Sequence, residues 1–226
     1  MKNFIHHDIP SIKRVTKDGS RFYETPTGKA YPSVTSVLGH FKSQHIQAWR
    51  DRVGHEEAGI ITRRASNRGT SIHSLCEDYL MGKNPIPDPF HKEMFESIKP
   101  VIDRFDNIHG LETQMYSHHL EVAGTVDLIA EYEGKLHIID YKTSTKAKRR
   151  EWIHDYFMQA SAYAVMFEEL TGVAINRLMI VIGLDEPGEV CENLVHPQLQ
   201  VFTEKRNDWI GEFIKVRKEY KRIKGV

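Results

Sequence analysis

The stretch GTVDLIAEYEGKLHIIDYKTS, Gly124 to Ser144, decides the fold. Two apolar runs flank Glu133-Gly134 and read as strands closed by a tight turn. An even-length loop centred on that dipeptide sets Asp127 directly opposite Asp140. Side chains alternate along a strand, so Lys142 shares the face of Asp140 while Tyr141 points the other way. Like charges facing each other among Ile129, Leu136 and Ile138 repel unless a cation lies between them. A plain edge strand with solvated acids and a lysine is the alternative. Against it, Val126, Leu128, Ala130, Ile139 and Tyr141 on one face and Ile129 and Ile138 on the other describe a sheet covered on both sides. Paired carboxylates beside a lysine suit phosphodiester hydrolysis, and as hard oxygen ligands they suit Mg²⁺ or Mn²⁺ better than zinc.

Working outward, the predicted elements form a short series. A β-meander spans about Ile12 to Tyr31, with turns at Asp18-Gly19 and Pro26-Thr27-Gly28. Helices are expected over PSVTSVLGHF with Ser33 as cap, over Gln44 to Arg52, over Glu56 to Leu80, and over Phe90 to Asn107. Strands follow at Glu112 to His119, Val122 to Tyr132 and Leu136 to Lys142. A helix from Trp152 to Leu170 stops at Thr171-Gly172, and the apolar run Arg177 to Leu184 is a central or parallel strand. A weaker hairpin around Val190 to Phe202 and an amphipathic helix end the chain. The fold class is α/β (α+β): a mixed central sheet flanked by helices, order αβββαβ, with an N-terminal meander and helical extension.

Composition sets bounds on this reading. At 226 residues and 40% hydrophobic, the chain can bury one substantial core. It reads as a single domain, with an appendage over 1–43 and a catalytic core over 56–184. Its 31 basic and 31 acidic residues cancel, so any nucleic-acid contact must rest on local patches. These are Lys146, Lys148, Arg149 and Arg150 after the hairpin, the group Arg63, Arg64 and Arg68, and a terminal run interrupted by Glu219. Cys76 and Cys191 are too few for an iron–sulfur cluster or a disulfide framework. No apolar run approaches a membrane span, and MKNFIHHDIP lacks a secretory apolar region, so a cytoplasmic protein is expected.

These residues resemble the PD-(D/E)xK nuclease superfamily in its RecB-like branch, which implies a restriction-endonuclease-like core. GTVD matches the first acidic position at Asp127, with Val126 where the motif's name has proline, and IDYK matches Asp140 and Lys142. His73 in RGTSIHSLCEDYL matches the branch's upstream histidine, and Gln159 with Tyr163 matches its Q-x-x-x-Y helix. PSVTSVL, the pair His73 and Glu77, and GKLHIIDYKTSTKAK are similar to single-strand DNA exonucleases within the branch. The resemblance implies a metal held by Asp127, Asp140, the Tyr141 carbonyl and His73, whose imidazole would make Mn²⁺ at least as good as Mg²⁺. Glu77, one turn after His73, would bond the imidazole or a metal-bound water, or merely pair at the surface.

Lys142 would orient water or stabilise the transition state, or act as a base if burial lowered its pKa. Gln159 and Tyr163 would border the site, holding the catalytic loop or a DNA phosphate, although the same stripe would also serve helix packing. Thr143, Ser144, Lys146, Lys148, Arg149 and Arg150 would contact DNA. The expected partner is DNA with a free single-stranded end, and a chain without an organellar transit segment points to a bacterial or phage source. The rivals are an endonuclease on the same core and a catalytically silent DNA-binding module. A zinc hydrolase lacks its H-E-x-x-H motif.

Overall fold

Glu133 and Gly134 both take positive φ, 52° and 69°, the backbone that a two-residue hairpin turn requires. The computed structural model describes residues 2–17, 19–187 and 192–226. Asp18 of the expected first turn, Val190 of the expected last hairpin and Cys191 lie outside the described residues.

The meander forms β1 (Lys13–Lys17), β2 (Ser20–Glu24) and β3 (Ala30–Pro32), an antiparallel sheet in that order. Helices α1 (Val34–His40), α2 (Ser43–Val53), α3 (His55–Leu80) and α4 (Lys92–Asp103) follow. Ser33 caps α1 by accepting from the Ser36 amide at 3.0 Å. The core continues through β4 (Phe105–Ser117), β5 (Val122–Tyr132), β6 (Lys135–Ser144), α5 (His154–Thr171) and β7 (Arg177–Leu184). Strands β8 (Leu194–His196) and β9 (Leu199–Lys205) and helix α6 (Arg206–Lys224) complete the chain. Gly172, at φ 74°, caps α5 where a left-handed residue must stand.

The central sheet has the order β4-β5-β6-β7-β9-β8. Strands β6 and β7 run parallel, with α5 as their crossover, and the other neighbours are antiparallel. This is the expected αβββαβ order and a restriction-endonuclease-like core. One face of the sheet presents Ile129, Ile138, Leu178 and Ile180 to α5 and α6. The other presents Leu128, Ala130, Ile139, Tyr141 and Val181 to α3 and α4. With both faces covered, the strands read as nearly unbroken apolar runs. No helix among the described residues is long and apolar enough to cross a membrane.

Two expectations need correction. The helix predicted to reach Asn107 ends at Asp103, and β4 begins at Phe105. The reason is a distant partner: the Ile5 amide donates to the Ile108 carbonyl at 2.8 Å, and the Ile108 amide to the Asn3 carbonyl at 2.7 Å. Val126 was expected beside Leu128 and instead joins the α5 side with Ile129. Strand alternation therefore breaks between Val126 and Leu128, at Asp127.

Candidate metal and nuclease centre

The register predicted for the hairpin holds from Tyr132↔Lys135 to Leu128↔Ile139 and stops one pair short of Asp127 and Asp140. The strands part there, so the two carboxylates do not face each other as ladder partners. Instead Oδ2 of Asp127 accepts the Tyr141 amide at 2.9 Å, standing in for the missing backbone acceptor. That bond fixes the orientation of the Tyr141 peptide. From α3, His73 donates through Nε2–H to the Tyr141 carbonyl at 2.8 Å, and its Nδ1 lies 3.6 Å from Oδ2 of Asp127.

Asp140 belongs to the other face and is buried, 1% exposed. Its Oδ1 accepts from Nε2 of Gln159 at 3.1 Å, while Oδ2 meets the ammonium of Lys142. That ammonium also lies 5.2 Å from the centre of the Tyr156 ring on α5. The Lys142 ammonium is the group that faces Oδ2 of Asp140. Burial pushes the Asp140 carboxyl up, with Lys142 pulling it back and Asp127 pushing it further. Burial on its own would lower Lys142, but Asp140 and Asp127 outweigh it and raise the lysine above its ordinary value. A charged lysine follows, rather than one poised as a base.

The expected DNA contacts are placed unevenly. Gln159 and Tyr163 are buried, and the Gln159 amide spends its protons on Asp140 and, at 3.3 Å, on the Tyr163 hydroxyl. They support Asp140 from within the core and do not reach the surface where a phosphate would lie. Ser144 is buried and donates to the Lys146 carbonyl at 2.6 Å, whereas Thr143 stays partly open beside Gly69 of α3. In the basic loop, Lys146 lies 3.7 Å from Glu186 and Arg149 lies 3.9 Å from Glu151, exposed pairs of the kind that hold little energy. Arg150 is tied more firmly, to Glu204 at 2.5 Å. The backbone of Lys148 is clamped by Gln200, whose Oε1 accepts its amide at 2.7 Å. Glu77 makes no hydrogen bond to His73, because the imidazole nitrogens turn to Tyr141 and Asp127. Its residue lines a groove under the N-terminal segment with Phe4, His7 and Gln114.

Glu112 went unrecognised in the sequence. It shares with His73 and Asp127 a cluster whose ligand atoms all lie within 4.8 Å of one another. The β4–β5 ladder runs through Leu111↔Leu128 and Thr113↔Val126 and skips Glu112 and Asp127 between them. Ending β4 at His119 hides this relation, whereas the observed last pair, Ser117↔Val122, sets Glu112 across from Asp127. Although the residue is exposed, partial burial of its carboxyl, followed by the charge of Asp127, pushes its pKa up to about 7.

The glycine of GTVD has a steric role. A Cβ on Gly124 would stand 2.8 Å from Cε1 of Tyr163. Gly124→Ala is therefore expected to displace the Tyr163 ring, loosen the Gln159 clamp on Asp140, and cost about 1–3 kcal/mol in thermal or urea unfolding. An unchanged melting temperature would remove this role.

A family model described as the PD-(D/E)XK nuclease superfamily matches residues 46–222. The mitochondrial genome maintenance exonuclease 1 of Xenopus tropicalis is 28% identical over 169 residues, covering 67% of this chain and 48% of that protein. The Mus musculus protein of the same name is 29% identical over 128 residues, covering 52% of this chain and 38% of its own. The Homo sapiens protein is 26% identical over 129 residues, with the same coverage. The chain thus spans about half the length, or less, of the curated relatives it matches.

Proposed function

The chain belongs to the PD-(D/E)XK nuclease superfamily, and from that premise we propose that it is a metal-dependent deoxyribonuclease, an exonuclease preferring single-stranded ends, acting in DNA replication, repair or recombination. The observation that carries the reading is the gathering of His73, Asp127, the Tyr141 carbonyl, Asp140 and Lys142 where the β5–β6 ladder opens. The donor set suits a hard divalent cation. Around an ion with bonds of ~2.1 Å, neighbouring ligands stand roughly 3 Å apart. With Nε2–H turned to the Tyr141 carbonyl, the free lone pair of His73 is on Nδ1, which lies 3.6 Å from Oδ2 of Asp127. Asp127, Asp140, the Tyr141 carbonyl and His73 would hold Mg²⁺ or Mn²⁺. When bound, such a cation supplies Lewis-acid polarisation of the scissile phosphate.

The protein's own groups do the remaining work. Asp127 holds the Tyr141 N–H, and His73 holds the Tyr141 carbonyl. Gln159 and Lys142 together fix Asp140. The Lys142 ammonium places a positive charge where negative charge grows as water attacks phosphorus in line with the departing oxygen. One P–O bond forms, the other breaks, and no covalent intermediate with the protein is required. Thr143 and the exposed charges of Lys146 and Arg149 supply phosphate contacts beside the site.

The end preference follows from the relatives named as exonucleases, and the strand preference from the zero net charge of the chain, which suits a single flexible strand better than a duplex. With Mg²⁺ or Mn²⁺ present, end-labelled linear single-stranded DNA should be degraded to short oligonucleotides while a closed single-stranded circle of the same sequence survives. Circles cut as fast as linear strands would replace the exonuclease reading with an endonuclease on the same core.

A further inference from the structure

Glu112 is not among the residues that hold Asp140, Lys142 or the Tyr141 carbonyl, and its surroundings are hard to reconcile with an ordinary surface carboxylate. Among the described residues it makes no side-chain hydrogen bond and no ion pair. The charged groups facing it are Asp127, Glu77 and Asp140, all of its own sign, with His73 alone able to oppose them. Its backbone sits at φ 46°, in the left-handed region. That conformation costs a residue with a Cβ of this length, and glutamate lacks the short local hydrogen bonds that let asparagine or aspartate tolerate it. Strained backbone carrying an unpaired charge towards like charges is retained where a ligand compensates.

We infer that Glu112 is a ligand of the divalent cation, in one set with His73 and Asp127. The inference rests on the proposed reading of this site as a metal-dependent nuclease centre. The three side chains come from α3, β4 and β5 and bring their ligand atoms within 4.8 Å of one another. Opposite ligands around a small divalent ion stand roughly 4 Å apart, so a slight side-chain adjustment closes the set. Lys142 and Gln159 hold the Asp140 carboxylate from the α5 face, so Glu112 adds a ligand on the α3 side and does not replace Asp140. The break in the ladder at Glu112 and Asp127 has the same outcome from both strands: each turns its carboxylate out of the pleat towards His73.

The test is Mn²⁺ binding by titration calorimetry to the 226-residue chain, with the Mn²⁺-induced rise in Tm as a second readout. Glu112→Gln should weaken Mn²⁺ affinity by about tenfold or more and shrink the Tm rise. Glu112→Gly guards against misfolding, since glycine relaxes the left-handed backbone. Its metal-free Tm should equal or exceed that of the native chain while its Mn²⁺ affinity falls to the same extent. Asp127→Asn is the reference variant. If it loses Mn²⁺ binding while both Glu112 variants bind like the native chain, the inference is overturned and the metal centre stands. If Asp127→Asn binds like the native chain as well, the metal centre itself fails and the inference falls with it.

Discussion

Asp127→Asn is expected to lower degradation of end-labelled single-stranded DNA to the level of a control without protein, while its melting temperature stays at or above that of the native chain. The asparagine oxygen can still accept the Tyr141 amide that Oδ2 of Asp127 holds at 2.9 Å. What is lost is one negative charge from a site where Glu112 and Asp140 are also acidic. Facing carboxylates alone would predict the same gain for Asp140→Asn, but the structure separates the two. Asp140 is the counter-charge of Lys142, so neutralising it strands an ammonium that burial already disfavours. Asp140→Asn should therefore abolish cleavage and also destabilise the fold by about 3–5 kcal/mol, the cost of removing one partner of a buried ion pair. Parallel melting curves and nuclease assays on both purified variants make the comparison. Full activity in either one would overturn the assignment of the centre.

Lys142→Ala should lower single-turnover cleavage by about 10²–10³-fold, the range seen when one preorganised donor to a developing charge is removed. DNA affinity, measured by fluorescence anisotropy, should change little, because the charge matters most in the transition state. The geometry favours this separation. The ammonium is held inward between Asp140 and the Tyr156 ring, whereas Lys146 and Arg149 stand exposed on the following loop. Affinity falling in proportion to rate would make Lys142 a phosphate anchor and nothing more. A melting curve belongs beside the assay, since the substitution leaves the Asp140 carboxylate with Gln159 as its remaining donor.

Much of this architecture was legible in the chain because it is set locally. The tight turn at Glu133-Gly134 fixed the β5–β6 register, and Gly172 fixed the end of α5. The apolar run from Arg177 to Leu184 announced a strand with neighbours on both sides, and β7 lies between β6 and β9. Short-range stereochemistry of this kind depends on residues a few positions apart, so it survives without knowledge of the rest of the molecule.

The long-range part was decided elsewhere. The N-terminal residues that pair with Ile108 drew Phe105 and its neighbours into a strand, where the sequence alone predicted the end of a helix. Where the β5–β6 ladder ends, whether Asp127 turns to His73 or to Asp140, and which carboxylate takes the lysine depend on how α3 and α5 press on opposite faces of the sheet. Gln159 and Tyr163 were visible as a pair one helical turn apart, but burial decided that they hold Asp140. Glu112 lay beyond reach for the same reason. Its approach to His73 and Asp127 joins α3, β4 and β5, and spacing along the chain carries no record of distances that only packing sets. The sequence by itself determined the hairpin, its register and the residue types able to hold a cation. The tertiary structure decided which of those residues meet, because side chains from distant segments converge only once both faces of the sheet are covered.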